Sequence, residues 1–264
     1  MSTSGDEGTA THDLPSGLKG AFVDTLLDAL ERGDIDVAVH SAKDLPADDE
    51  EGVVIGAVPE RADPSDVMVL REPTLPAGAV IGTSSIRRRA QLLRAFPGVT
   101  VEPLRGNVDT RLRKVEEGAV DAAVLAAAGL ARLGARPAHA APLGLDVMVP
   151  APGQGALALQ AREDDLPTLA ALATIDHAAS HAAFDAERSL MWRLGGGCAL
   201  PLGALATVGG ARIELIAVVV SPDGLSLARA EVVSESPEDA AASAAKILIA
   251  DGAEEILAAL DDEG

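Results

Sequence analysis

Between residues 79 and 133 the chain alternates short apolar runs with amphipathic stretches, and that rhythm leaves few folds open. Residues 79–82 read as a strand, 86–96 as a helix, 99–104 as a strand, 107–117 as a helix and 121–126 as a strand, with a further helix to Leu133. Such alternation implies a mainly parallel sheet with helices on both faces. Upstream, Phe22, Leu26, Leu27 and Leu30 fall at helical spacing over residues 19–31, and Gly33 ends the helix. Residues 36–39 read as a buried strand running into a loop at 40–46, and residues 53–58 as another strand. Pro59, Pro64, Pro73 and Pro76 punctuate the stretch after it, which places a crossing between domains near residue 60. Pro150-Ala-Pro-Gly-Gln-Gly155 marks a second crossing, with a strand at 156–160 after it. The last unit reads as a helix at 184–194, a strand at 213–220, a turn at Pro222-Asp-Gly224 and a strand at 225–233. Ser236 is expected to cap the final helix, with Pro237 at its first position and Asp239 closing a capping box.

The charge balance narrows the function. The 264 residues carry 41 acids against 21 bases, a net of −20, with only four lysines. Such a surface repels nucleic acid and anionic membranes, and the scarce aromatics (three Phe, one Trp, no Tyr) supply no stacking platform for bases. The composition reads as adaptation to high salt. No apolar run approaches the ~20 residues that span a bilayer, and Met1-Ser-Thr-Ser-Gly-Asp-Glu7 lacks a signal-peptide pattern, so a cytoplasmic protein is expected. The single cysteine, Cys198, excludes an internal disulfide and a Cys-rich zinc site. His177 and His181 lack further ligands for a metal and are expected to be ordinary helix-surface residues.

Against this acidic background, residues 87–114 hold eight basic residues (Arg87, Arg88, Arg89, Arg94, Arg105, Arg111, Arg113 and Lys114) and two acids. The window is +6 and the remainder −26. Thr83-Ser84-Ser85 follows a strand and opens a helix, so its hydroxyls and free N–H groups face the strand's carboxyl end, where open α/β sheets bind ligands. Arg87, Arg88, Arg105 and Arg111 are expected to bind an anion there, since arginine suits carboxylates. Arg94, Arg113 and Lys114 are expected to lie on a solvated helix face. Lys43-Asp44 also ends a buried strand, where a carboxylate held ionised by cations can stabilise a positive intermediate. Cys198 follows three glycines, an open setting that points to a reactive or modified thiol.

Five motifs then converge. Ala38-Val-His-Ser-Ala-Lys-Asp-Leu-Pro46, Gly82-Thr-Ser-Ser-Ile-Arg-Arg88, Leu104-Arg-Gly-Asn107 with Thr110-Arg-Leu112, Pro152-Gly-Gln-Gly-Ala156 and Gly196-Gly-Cys198 stand in the order found in porphobilinogen deaminases, and the chain resembles that family over nearly its whole length. The resemblance implies an α/β protein of three domains: 1–59 plus 156–175, then 60–155, then a small C-terminal α/β domain at 176–264. The first two are expected to form the lobes of a periplasmic-binding-protein-like fold. By motif position, Cys198 resembles the residue whose sulfur holds a dipyrromethane primer, and Asp44 the essential acid. Lys43, Arg87, Arg88, Arg105, Arg111 and Arg132 resemble residues that bind acetate and propionate side chains, with Ser84, Ser85 and Gln154 as polar supports.

The implied reaction condenses four porphobilinogen molecules with loss of ammonia. Each passes through an electron-poor azafulvene, and release by water gives hydroxymethylbilane while the primer stays on Cys198. Every pyrrole brings two carboxylates, which gives a physical reason for arginines in an acidic protein. Family members open with a strand, a helix and a second strand that include an Arg-x-Ser element. Met1-Ser-Thr-Ser-Gly-Asp6 matches the end of that second strand, so domain 1 is expected to lack its first segment and Met1 to be internal to a longer protein. No nucleic-acid or membrane partner is expected, and a monomer is. A non-catalytic polycarboxylate-binding protein of the same fold is the alternative, separated from the enzyme by whether primer is bound at Cys198.

Overall fold

The computed structural model describes residues 17–196 and 200–261. Helix α1 (Gly17–Glu31) leads into β1 (Ala38–Ser41), a single helical turn at Ala42–Asp44, and β2 (Val53–Ala57). The chain crosses to β3 (Asp66–Leu70), β4 (Val80–Gly82), α2 (Ile86–Ala95), β5 (Thr100–Glu102), α3 (Val108–Glu116), β6 (Ala122–Ala126), α4 (Ala127–Arg132) and β7 (Ala140–Pro142). It returns as β8 (Leu157–Arg162) and α5 (Leu166–Leu172), then runs through α6 (Ala178–Arg193), β9 (Leu202–Gly209), β10 (Arg212–Val220), β11 (Leu227–Ser234), α7 (Pro237–Ala250) and α8 (Ala253–Asp261). The α/β class expected from the alternation is the one found.

Among the described residues three sheets form, ordered β1-β8-β2, β5-β4-β6-β3-β7 and β11-β10-β9. The central one corrects the parallel expectation. β4 pairs in parallel with β5 and β6, but β3 runs antiparallel to both β6 and β7. The proline-rich stretch after residue 59 hid β3, a five-residue strand without polar alternation. It enters from the crossing, so it starts where β6 ends, with Asp66 opposite Ala126. That direction sets a buried acid at the carboxyl edge of the parallel strands. Helices do cover both faces: α3 and α4 over Val69, Ala123 and Leu125, and α2 over Met68, Ile81 and Val124.

Two smaller differences have local causes. β1 begins two residues later than expected, because Asp36 pairs with Arg162 at 3.0 Å outside the ladder. The capping box at α7 is half made: Ser236 Oγ accepts from Asp239 N, while Ser236 N donates to Ser234 Oγ. Aspartate is a carbon shorter than the glutamate that usually closes that box.

The C-terminal sheet shows why its strands alternate. Ile213, Leu215, Ala217 and Val219 of β10 face α6 and α7, whose Ala186, Ala240, Ala241 and Ala244 allow close approach. Val218 and Val220 face the other way, onto Ala90 of α2 and Val149. In the first sheet, Val23, Leu27 and Leu30 of α1 cover Ala38, Val53 and Ala158, while Leu169 and Leu172 of α5 cover the opposite face.

The sheets meet at α6. Glu187, fully buried, accepts from Arg61 Nη1 and Nη2 at 2.6 and 3.1 Å, Gly153 N at 2.6 Å and Ala206 N at 2.7 Å. One carboxylate therefore ties both crossings to β9. Across the second crossing, Gly153 has φ +71, and a Cβ there would lie 2.8 Å from Ala42 C and Lys43 N. The crossing thus packs directly against the turn that carries Lys43 and Asp44. His177 and His181 are more than surface residues: His177 Nδ1 accepts from Ser180 N to cap α6, and His181 Nδ1 pairs with Asp176 at 2.8 Å.

Candidate active site

β1 ends at Ser41 and β6 at Ala126, and both ends border a cleft of about 220 Å³. Its walls are Ser41, Lys43, Arg88, Arg111, Arg132 and the small residues from Ala126 to Gly129 and from Gly153 to Ala156. Among the described residues, four cations from four segments converge and no acid lines the cleft. Lys43 comes from the turn after β1, Arg88 from the first turn of α2, Arg111 from α3 and Arg132 from the end of α4.

Their states differ. Burial and the neighbouring Arg88 guanidinium lower the Lys43 ammonium to about 8, with Asp44 and Asp66 opposing. Burial, then Arg88, also lowers Arg111, whose Nε is buried without a hydrogen-bond partner. Arg132 Nη2 donates to Gly155 O at 2.9 Å, so α4 grips the second crossing. Arg88 is held from behind: Nε and Nη2 donate to Asp66 Oδ1 at 2.9 and 2.7 Å, and Nη1 to Val124 O at 2.9 Å. Burial alone would raise the Asp66 carboxyl, but Arg87 and Arg88 reverse that and hold it well below the usual carboxylate range.

The remaining sequence-derived residues divide. Arg87 is buried behind the cleft, with Nη1 on Asp66 at 2.8 Å and on Val149 O at 2.7 Å. Gln154 is buried at the crossing, donating to Pro64 O and receiving a longer 3.4 Å contact from Arg88 Nη2. Ser85 caps α2, its hydroxyl accepting from Arg88 N, while Ser84 and Arg105 are exposed and do not line the cleft. Asp44 follows Lys43 on the same turn. Cys198 lies outside the described residues. Arg94 departs from the expectation of a purely solvated face: its Nη1 donates to the carbonyls of Gly224 and Leu225, because the β10–β11 turn docks on α2. Arg113 makes only an exposed contact with Glu117 at 3.8 Å, as expected, and Lys114 Nζ donates to Arg105 O.

Sequence reasoning missed Asp66, Arg61 and Glu187. An acid heading the apolar run Val67-Met-Val-Leu70 is a signal for the first. For the Arg61–Glu187 pair, 126 residues apart, no local pattern exists.

A dipyrromethane group carries carboxylates, and this donor set fits them. The buried, unpartnered Arg111 Nε and the small residues lining the cleft provide charge and room for such a group.

Comparison with known proteins agrees. The family described as "Porphobilinogen deaminase, dipyromethane cofactor binding domain" matches residues 1–170, and "Porphobilinogen deaminase, C-terminal domain" matches residues 182–250. A porphobilinogen deaminase of Desulforudis audaxviator is 52% identical over 250 residues, covering 92% of this chain and 80% of that protein. Those of Brevibacillus brevis and Pelotomaculum thermopropionicum are 44% and 47% identical, covering 92% and 91% of this chain and 80% and 79% of theirs. Among solved structures, a probable amino-acid ABC transporter extracellular-binding protein of Bacillus subtilis aligns over 57% of this chain and 69% of its own, with TM-score 0.37 and 12% identity. The motifs, the cationic cleft they build and the near full-length relatives lead to one place: this chain belongs to the porphobilinogen deaminase family.

Proposed function

We propose that this protein is a hydroxymethylbilane synthase, condensing four porphobilinogen molecules into the linear tetrapyrrole and releasing an ammonia from each. The observation that carries the reading is the convergence of Lys43, Arg88, Arg111 and Arg132 on one cleft in a protein of net charge −20. When bound, dipyrromethane supplies the pyrrole α-carbon on which the chain grows, and Cys198 is the residue that holds it. Lys43, desolvated beside Arg88, and Arg111, whose buried Nε has no hydrogen-bond partner, bind acetate and propionate groups, and Arg88 and Arg132 add donors fixed in place by their backbone contacts. Arg87, Gln154 and Ser85 support Arg88 from behind, and Arg105 and Ser84 meet carboxylates at the outer rim.

Asp44 acts as the carboxylate that stabilises positive charge on the substrate as ammonia departs and then accepts the proton lost from the attacked carbon. It follows the cleft-lining Lys43 on the turn after β1, and that neighbourhood supports the role. The domain division at 59–60, 155–156 and 175–176 fits this reading, since each sheet lies inside one of the resulting units. We place the enzyme in the cytoplasm as a monomer without nucleic-acid or membrane partners, in keeping with its acidic surface. No helix among the described residues is long and apolar enough to cross a membrane.

The test is the mass of the intact protein, purified from cells that make porphobilinogen. It should exceed the sequence mass by one dipyrromethane, Cys198→Ser should remove the excess, and the wild type should consume porphobilinogen. An unmodified, inactive protein from such cells would defeat the reading.

A further inference from the structure

Arginine has five N–H donors, and Arg88 has used four of them before any ligand arrives. Its Nε–H and one Nη2–H go to Asp66 Oδ1, the other Nη2–H to Gln154 Oε1, and one Nη1–H to Val124 O. A single Nη1–H remains on a side chain that lines the cleft. Asp66 is itself fully buried at the head of β3, and its other oxygen takes Arg87 Nη1 at 2.8 Å. It does not line the cleft, yet it bonds directly to a cation that does. We propose that Asp66 is the positioning residue of this site: it fixes Arg88 with one donor toward a ligand carboxylate and sets how strongly the cleft cations repel one another. Two-point recognition of a carboxylate then falls to Arg111, whose fork has no protein partner at its buried Nε.

Lys43 reports on this arrangement. It is faced by Arg88, Asp44, Asp66 and Arg87, with Arg111 and Arg132 on the same walls. Asp66 raises its proton affinity and Arg87 lowers it. Replacing the two should therefore move the Lys43 titration in opposite senses, whereas loosened packing would move it the same way in both. The chain has only four lysines, so protein labelled with 13C at the lysine ε-carbons gives few resonances, and Lys43→Arg assigns the one of interest.

The expected midpoint for Lys43 in the wild type is about 8. Asp66→Asn should lower it, and Arg87→Gln, which leaves the Asp66–Arg88 bonds in place, should raise it. In turnover assays Asp66→Asn should raise KM for porphobilinogen about tenfold, the weight of one charge-assisted hydrogen bond, with a smaller change in kcat. Midpoints that both fall, both rise or stay at the wild-type value would overturn the proposal. If Asp66→Asn fails to fold, a midpoint that does not rise in Arg87→Gln does so alone. Only the kinetic arm rests on the deaminase reading: a wild type that consumes no porphobilinogen sinks that reading and leaves the lysine titration to judge Asp66.

Discussion

Lys43 destabilises the fold that uses it. Its ammonium is half-buried beside Arg88, with a pKa of about 8 in place of 10.5. Between those values the unfolded chain binds more protons than the folded one, so this group makes stability rise as pH climbs from about 8 to about 10. Below 8 both states are protonated and the full cost is present. Lys43→Met should therefore stabilise the protein at pH 7 by on the order of 1 kcal/mol, or ~2–4 °C in Tm, while impairing porphobilinogen turnover. A melt showing a lower Tm for this variant would count against a net desolvation cost at this ammonium. At this scale the sequence already singled out Lys43, Arg88 and Arg111, because strand ends and charge are local properties. It could not separate Arg87 from Arg88: adjacent in sequence, one points behind the sheet and the other into the cleft.

The elements place these side chains through close backbone contacts rather than through loops. At the second crossing, Gly153 lies under the turn bearing Lys43 and Asp44, with room for a hydrogen and not for a methyl group. Gly134 has nearly the same φ, +64, and a Cβ added there would meet nothing within 4 Å. Both changes to alanine carry the strain of positive φ, so their difference isolates the contact. Gly153→Ala should lose about 1–3 kcal/mol more than Gly134→Ala in urea unfolding and should also slow turnover; equal losses would show that the crossing does not hold the turn. α2 and α3 could be read from sequence, since their caps at Ser85 and Asn107 and their apolar spacing are written within a few residues. β3, β9 and α5 could not. β3 is an unalternating run among prolines, β9 is rich in Gly and Ala, and α5 is a seven-residue helix with a proline in its first turn.

For the whole molecule, a net charge of −20 opposes compaction at low salt. The Debye length falls from about 10 Å at 0.1 M to about 3 Å at 1 M, which screens repulsion across the surface far more than contacts inside the cleft. Tm should climb steadily with NaCl over that range. A flat or falling Tm would remove the salt-adaptation reading. The sequence by itself determined the α/β class, the segregation of positive charge into one unit, and the family, because these depend on composition, periodicity and motifs confined to a few residues. Only the tertiary structure decided that β3 runs antiparallel, that Asp66 stands behind Arg88, and that Glu187 joins both crossings to β9. Each of those depends on groups far apart along the chain, and a buried charge acquires its partner only when folding removes the water that would otherwise serve.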